Sequence, residues 1–155
     1  MLLTLSETLL LDASPAEVWK LLRDTPRFAQ LLPGVENVAP LPDKGAEAYT
    51  AEVADKVGPF KATFRLEVRV EEAREPSLLK AAIRGADPLG LNRVTGFLQA
   101  ALSSAPEGTR LQFDASIEIL GKLAALGAVP IRRKTAQSFA DFAKNIQGQF
   151  AKEPS

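Results

Sequence analysis

No histidine and no cysteine occurs among the 155 residues of this chain, and tryptophan, tyrosine and methionine occur once each. Their absence removes zinc sites of the usual ligand type, thiol nucleophiles, disulfides and any imidazole acid–base pair. No metal and no cofactor is expected, and catalysis would have to rest on carboxylates, lysine or Tyr49. Excess charge is absent too: Lys+Arg 19 stands against Asp+Glu 19. The two signs are interleaved, which leaves no basic face for nucleic acid. No apolar run approaches the ~20 residues that span a bilayer. Met1 to Leu11 lacks a basic leader region and is broken by Thr4, Ser6, Glu7 and Thr8, so it reads as a strand rather than a signal peptide. A cytoplasmic protein is expected, one domain over residues 1–150 with a short tail over 151–155.

What the chain has is alternation. From Phe60 to Val70 every even residue is apolar, while from Lys61 to Glu71 every odd one is charged or hydroxylated. The pattern returns at Arg110 to Ile119, where Leu111, Phe113, Ala115, Ile117 and Ile119 share one face. Such period-two strands belong to a sheet with one face in water and the other against a cover. The first strand, near Leu2 to Leu11, places Leu3, Leu5, Leu9 and Leu11 on one face, with Glu7 among them.

Ser14-Pro15-Ala16-Glu17 opens a helix, with Ser14 as N-cap, Pro15 in the first position and Glu17 placed to reach back. Thr25-Pro26 repeats the signal for a second short helix, which Pro33-Gly34 ends. Strands and turns follow. Val35 to Leu41 is suited to an edge by Pro40 and Pro42, and Asp43-Lys44-Gly45 turns into Glu47 to Ala54. Leu78 to Arg84 points Leu79, Ala81 and Ile83 inward. In Leu91 to Ser103 the inward face is open, because Val94, Leu98, Ala100 and Leu102 compete with Leu91, Phe97 and Ala101. Beyond Gly121 the period becomes helical, with Leu123, Leu126, Ala136, Phe139, Ala140, Ala143, Ile146 and Phe150 near one stripe. Pro130 lies inside that run, where it predicts a kink or a restart.

This order is that of an α+β protein: a curved antiparallel sheet of about six or seven strands around a long C-terminal helix, with two short helices after the first strand. It resembles the helix-grip fold of the START and SRPBCC superfamily, whose entry Ser14-Pro15-Ala16-Glu17-Val18-Trp19 matches. Leu32-Pro33-Gly34-Val35, then Lys56-Val57-Gly58-Pro59-Phe60-Lys61-Ala62-Thr63-Phe64, then Gly121-Lys122-Leu123-Ala124-Ala125-Leu126-Gly127 are similar, in order and spacing, to the carbon monoxide dehydrogenase CoxG family. The resemblance covers nearly the whole chain. It implies a cavity between sheet and helix holding an apolar molecule such as a quinone, lipid or isoprenoid. It also implies a role beside a molybdenum CO dehydrogenase or related hydroxylase, in assembly, membrane recruitment or quinone delivery, without a membrane anchor of the chain's own. The other use of the fold is an aromatase, cyclase or dehydratase acting on a polyketide, where cavity carboxylates and tyrosines move protons.

By spacing alone, aromatic residues on strands and helices pack on each other as core. The resemblance makes Phe60, Phe64, Phe113 and Phe139 cavity lining, joined by Leu79, Ile83, Ile117 and Leu126, and leaves Phe142 open. Trp19 is expected to pack its helix on the sheet. Glu7 is a polar cavity group if buried, its carboxyl then raised by desolvation, or a rim residue that reaches water. Tyr49 is either a hydrogen-bond donor to a carbonyl ligand or a strand tyrosine facing solvent. Arg132-Arg133-Lys134 is a solvated helix face or a contact for acidic partners and anionic headgroups. Gly58-Pro59 reads as a turn that in this fold gates the cavity mouth.

Overall fold

A computed structural model describes residues 1–41, 47–57 and 60–150, the side chains at 55–57, 60 and 62 excepted. The turn expected at Asp43-Lys44-Gly45, the Gly58-Pro59 gate, the Phe60 side chain and the 151–155 tail lie outside the described residues. Strand β1 (Leu2–Leu11) leads to helices α1 (Pro15–Arg23) and α2 (Thr25–Ala29). Strands β2 (Val35–Pro40), β3 (Glu47–Val57), β4 (Phe60–Arg74), β5 (Leu78–Ala86), β6 (Asn92–Ala105) and β7 (Gly108–Gly121) follow. A 3-10 helix (Lys122–Leu126) and helix α3 (Ala128–Gln149) close the described chain.

Helix α1 starts as its residues dictate: the Glu17 amide donates to Ser14 Oγ at 3.3 Å, and Pro15 takes a position whose N–H would have no partner. Its apolar face buries Val18, Trp19, Leu21 and Leu22. All neighbouring strands are antiparallel, in the order β1-β7-β6-β5-β4-β3-β2, so the first and last strands pair and β1 and β2 form the edges. Pro40, the positive φ of 53° at Asn37 and a register shift between Glu36 and Ala39 make β2 a poor template for further pairing.

Register assigns the faces across the whole sheet. Val68 stands opposite Ile83, Ile83 opposite Gly96, Gly96 opposite Ile117 and Ile117 opposite Leu3, so one row of inner residues crosses β4, β5, β6, β7 and β1. A parallel row runs Val70, Ala81, Leu98, Ala115, Leu5. This settles β6 in favour of Val94, Leu98, Ala100 and Leu102, and Phe97 is 61% exposed on the outer face. Gly96 belongs to the bend: a Cβ there would sit 2.2 Å from the Ser116 carbonyl oxygen, so β6 and β7 approach more closely than any side chain allows.

The C-terminal segment departs from expectation in two ways. The break falls at Gly127, whose φ of 86° suits glycine, and α3 begins at Ala128. Pro130 therefore occupies the first turn, where its missing N–H costs no intrahelical bond, and it neither kinks nor restarts the helix. The inward stripe also differs in part: Leu123, Leu126, Phe139, Ala143, Ile146 and Phe150 pack inward, joined by buried Ile131 and Phe142, while Ala136 and Ala140 are exposed.

Candidate functional site

Two separate apolar clusters hold the helical layer to the sheet. The larger joins Leu9, Leu11, Leu102, Leu111 and Phe113 to Val18, Trp19 and Leu22 of α1 and to Phe142 and Ile146 of α3. Phe142 is its hub, with ring centroids 5.4 Å from Phe28, 5.8 Å from Phe113 and 6.1 Å from Phe139. These are edge-on pairs of the kind aromatic quadrupoles favour. The smaller cluster joins Leu3, Ile119 and Ile131, with Leu123, Leu126, Ile117 and Val94 packed against it.

Between the clusters lies a gap. Ile131 and Phe142 are eleven residues apart, about 16 Å along a helix axis, and no residue between them on α3 is buried. The inward positions there are Thr135, Ser138 and Phe139, all half-buried. The closest approaches of α3 are to β1 and β3, on opposite sides of the sheet. The helix is therefore anchored at its ends and crosses above the middle strands like a bar. Beneath it Leu66, Val68 and Ile83 are only half-buried, although they sit on the covered face, and Leu98, Ala115 and Ile117, half-buried too, lie at its margins, the first two packed against the larger cluster and the third against the smaller. Packed side chains exclude solvent from their partners, so half-burial of a contiguous apolar row marks an accessible trough.

Polar groups at the trough are few. Thr135 satisfies its hydroxyl within the helix by donating to the Ile131 carbonyl at 2.9 Å. Ser138, central on the same face, has no hydrogen-bond partner among the described residues. Tyr49 is half-buried on the inner face of β3, opposite Val68. Glu7 lies opposite Phe113 on the inner face of β1, yet it is exposed, between Leu3 of the smaller cluster and Leu9 of the larger. Glu7 and Tyr49 stand five strand spacings apart in the sheet order, on the order of 24 Å measured along the curved sheet.

The residues expected from the sequence divide between trough and clusters. Phe64 and Ile83 lie half-buried on the inner face, and Ile117 there packs against the smaller cluster. Leu79, Phe113 and Phe139 belong to the larger cluster, and Leu126 to the smaller. Trp19 is buried in the larger cluster. The alternation places Leu66, Val68 and Ala115 on the inward face, and Leu98 as one of two options for β6, but neither these nor Ser138 were among the expected site residues. Register, a tertiary property, brings the first four together, whereas Ser138 was visible as a polar residue in the C-terminal helix.

One end of the trough is closed by polar latches. Asp87 accepts from the Leu91 amide at 2.7 Å and from Asn92 Nδ2 at 2.8 Å, and Asn92 Oδ1 accepts from the Leu123 amide at 2.6 Å. The turn between β5 and β6 thereby holds the start of the 3-10 helix that carries Leu123 and Leu126. Partial burial pushes the Asp87 carboxyl upward, but hydrogen bonds from the Asn92 side chain and from the turn amides outweigh it and hold it below its ordinary value. On the outer face a broad open depression of about 970 Å³ runs over Thr50, Glu52, Arg65, Glu67, Arg84 and Arg93. There the Glu67 carboxyl is held below the usual range, first by a hydrogen bond from Arg69 and then by the charges of Arg84 and Arg69.

A sheet gripping a C-terminal helix across an apolar trough is the helix-grip (START-like) architecture, and solved structures repeat it. A conserved protein from Geobacillus kaustophilus is 22% identical, with a TM-score of 0.80 over 97% of this chain and 95% of its own. Ara h 8.0201 is 13% identical, with a TM-score of 0.65 over 97% and 98%. BexL, a di-domain ARO/CYC protein of the BE-7585A biosynthetic pathway, is 15% identical, with a TM-score of 0.62 over 99% of this chain and 51% of its own. No curated protein matches the sequence. The profile of the carbon monoxide dehydrogenase subunit CoxG matches residues 9–151, and the chain belongs to the CoxG family. Among the described residues no helix is long and apolar enough to cross a membrane, and no group of acidic side chains is arranged to hold a metal ion.

Proposed function

We propose that this chain is a non-enzymatic carrier whose trough takes a molecule with an apolar body and a polar end, such as a quinone or an isoprenoid-like lipid. The observation that carries the reading is the three-turn stretch of α3 without a buried residue, lying over half-buried Leu66, Val68 and Ile83, with Leu98, Ala115 and Ile117 at the margins where the clusters begin. An apolar surface left accessible beneath a cover is what ligand sites are made of. Ser138 supplies the one hydroxyl at its centre, able to donate to a carbonyl. Family membership adds a setting: the carrier works beside a molybdenum hydroxylase of the CO dehydrogenase type, at the cytoplasmic side of the membrane, with exposed Arg132 and Arg133 available for peripheral contact. The polyketide cyclase alternative is disfavoured because Glu7 is exposed and lies on β1, five strands away in the sheet order from Tyr49 on β3, which offers no evident acid–base pair.

Native mass spectrometry of protein purified without detergent tests the carrier reading directly. Recovery of an apolar molecule from wild type, and its loss from Ile83→Gln and Leu98→Gln, is the expected result. If both variants keep the molecule, the trough is not its site. Pull-down with a tagged chain tests the setting, through the presence or absence of a molybdenum hydroxylase.

A further inference from the structure

Strand β1 is an edge whose one protection of the usual kinds is the Glu7 carboxylate on its inner face. Its pairing with β7 runs from Leu2 to Leu11 without a bulge, and it contains no proline, lysine or arginine. The Met1 amine donates to the Ile119 carbonyl at 2.7 Å and the Ile119 amide returns to Met1 at 2.8 Å, so Met1 and Ile119 form a hydrogen-bonded pair. Hydrogen-bonded pairs recur every second residue. The odd residues of β1 therefore face β7, and the N–H and C=O groups of Leu2, Thr4, Ser6, Thr8 and Leu10 face outward from the sheet. No hydrogen bond among the described residues reaches them.

Those same five residues read identically in both directions: Leu, Thr, Ser, Thr, Leu. A two-fold interface requires a surface complementary to itself, and an antiparallel pair of copies centred on Ser6 meets that requirement. Leu2 falls opposite Leu10, Thr4 opposite Thr8 and Ser6 opposite Ser6, so all five outward-facing residues find partners in one register. The leucines, 56% and 48% exposed on the outer face, cover each other. Flanking charges agree as well. Leu2 neighbours Glu118 and Leu10 neighbours Arg110, so each leucine pair is bracketed by an acidic residue from one copy and a basic residue from the other. We infer that β1 is a homodimer edge, joining two copies into one continuous antiparallel sheet with both helical layers on the same side. Glu7 opposes it mildly: it faces Leu5 of the second copy and lies diagonal to the second Glu7, about 7–8 Å away. A single strand edge buries less than the roughly 800 Å² per partner of a standard interface, so the dimer forms with concentration rather than permanently.

The experiment is sedimentation velocity on the full chain over a hundredfold concentration range, joined to single cysteines in a chain that has none. In this register the two Ser6 Cα atoms lie about 5.5 Å apart, inside the ~4.4–6.8 Å window of a disulfide. Thr4 and its own copy stand about 14 Å apart, four residues along a strand. Oxidation should cross-link Ser6→Cys, leave Thr4→Cys and Thr8→Cys unlinked when each is alone, and link the two when they are mixed. Ser6→Pro removes two ladder hydrogen bonds and should weaken association about thirtyfold, with the circular dichroism of the folded chain retained. Glu7→Gln should strengthen it. A chain that stays monomeric over the whole range, or Thr4→Cys linking as readily as Ser6→Cys, overturns the inference.

Discussion

Truncating Phe142 to alanine separates the packed part of this molecule from the open part. The ring is 1% exposed and meets Phe28, Phe113 and Phe139, so its removal leaves a void bounded by three rings that belong to different elements. Large-to-small changes at such sites cost about 3–5 kcal/mol, a large part of the ~5–15 kcal/mol that keeps a domain folded. Leu98→Ala, at the margin of the trough, removes a smaller side chain that is already partly exposed, and a smaller loss of about 1–2 kcal/mol is expected because less transfer free energy is lost. Urea unfolding followed by the fluorescence of Trp19, the sole tryptophan and a member of the same cluster, reports both changes. The midpoint should fall sharply for Phe142→Ala and slightly for Leu98→Ala, at constant slope. Binding of a fluorescent apolar probe should respond in the reverse order. A loss below about 1 kcal/mol for Phe142→Ala, or equal losses for the two variants, would show that the helix is packed uniformly and that the division into clusters and trough is wrong.

Other expectations follow from single residues. Gly96→Val places a Cβ 2.2 Å from the Ser116 carbonyl oxygen, and thermal unfolding should show the loss of a closed β6–β7 ladder or of folding altogether. Gly127→Ala, in open space but at φ 86°, should cost about 1–2 kcal/mol from backbone strain alone, while Pro130→Ala stays within about 0.5 kcal/mol; denaturation midpoints compare them. Asp87→Ala should speed hydrogen exchange in residues 122–126 by freeing Asn92, with exchange in α3 near Phe142 unchanged. Because the folded Asp87 carboxyl titrates below its ordinary value of 3.8, the latch is complete above that pH and is lost as pH falls through the lower folded value. The protection of residues 122–126 relative to the intrinsic exchange rate at each pH should accordingly fall only on acidification below about pH 4.

Most of the architecture was legible because period two and turn chemistry are local. The alternation in β4 and β7, the Ser14-Pro15 cap and the prolines of β2 each act within a few residues, and each strand formed where its pattern lay. What escaped depended on distant partners. The face of β6 was ambiguous until its register with β5 and β7 chose Leu98 over Phe97. Local pattern assigns the helix break to Pro130, the stronger breaker inside a helix, whereas Gly127 three residues earlier let the proline become a first-turn residue. Phe113 and Phe139 looked like cavity lining because a residue facing inward from a strand or helix is apolar in either case.

That last ambiguity has a physical resolution on the helix rather than the sheet. A strand face must be apolar whether it meets a packed helix or an unoccupied trough, since water is a poor neighbour for it in both. A helix packed along its whole length would present buried residues at every turn. Here the inward positions run Ile131, Thr135, Ser138, Phe139, Phe142 and Ile146, with two hydroxylated residues between Ile131 and the phenylalanine pair. A hydroxyl facing a solid core would have cost free energy without a partner, and Ser138 has none among the described residues. Thr135 and Ser138 are tolerable where solvent or a polar ligand group can reach them. The Ser138→Leu variant turns this into a measurement. If the trough is open, the added side chain fills it, raises the unfolding midpoint and displaces a bound apolar probe together. A fall in the midpoint would mean that Ser138 faces packed side chains with no room to spare, and the trough would have to lie elsewhere.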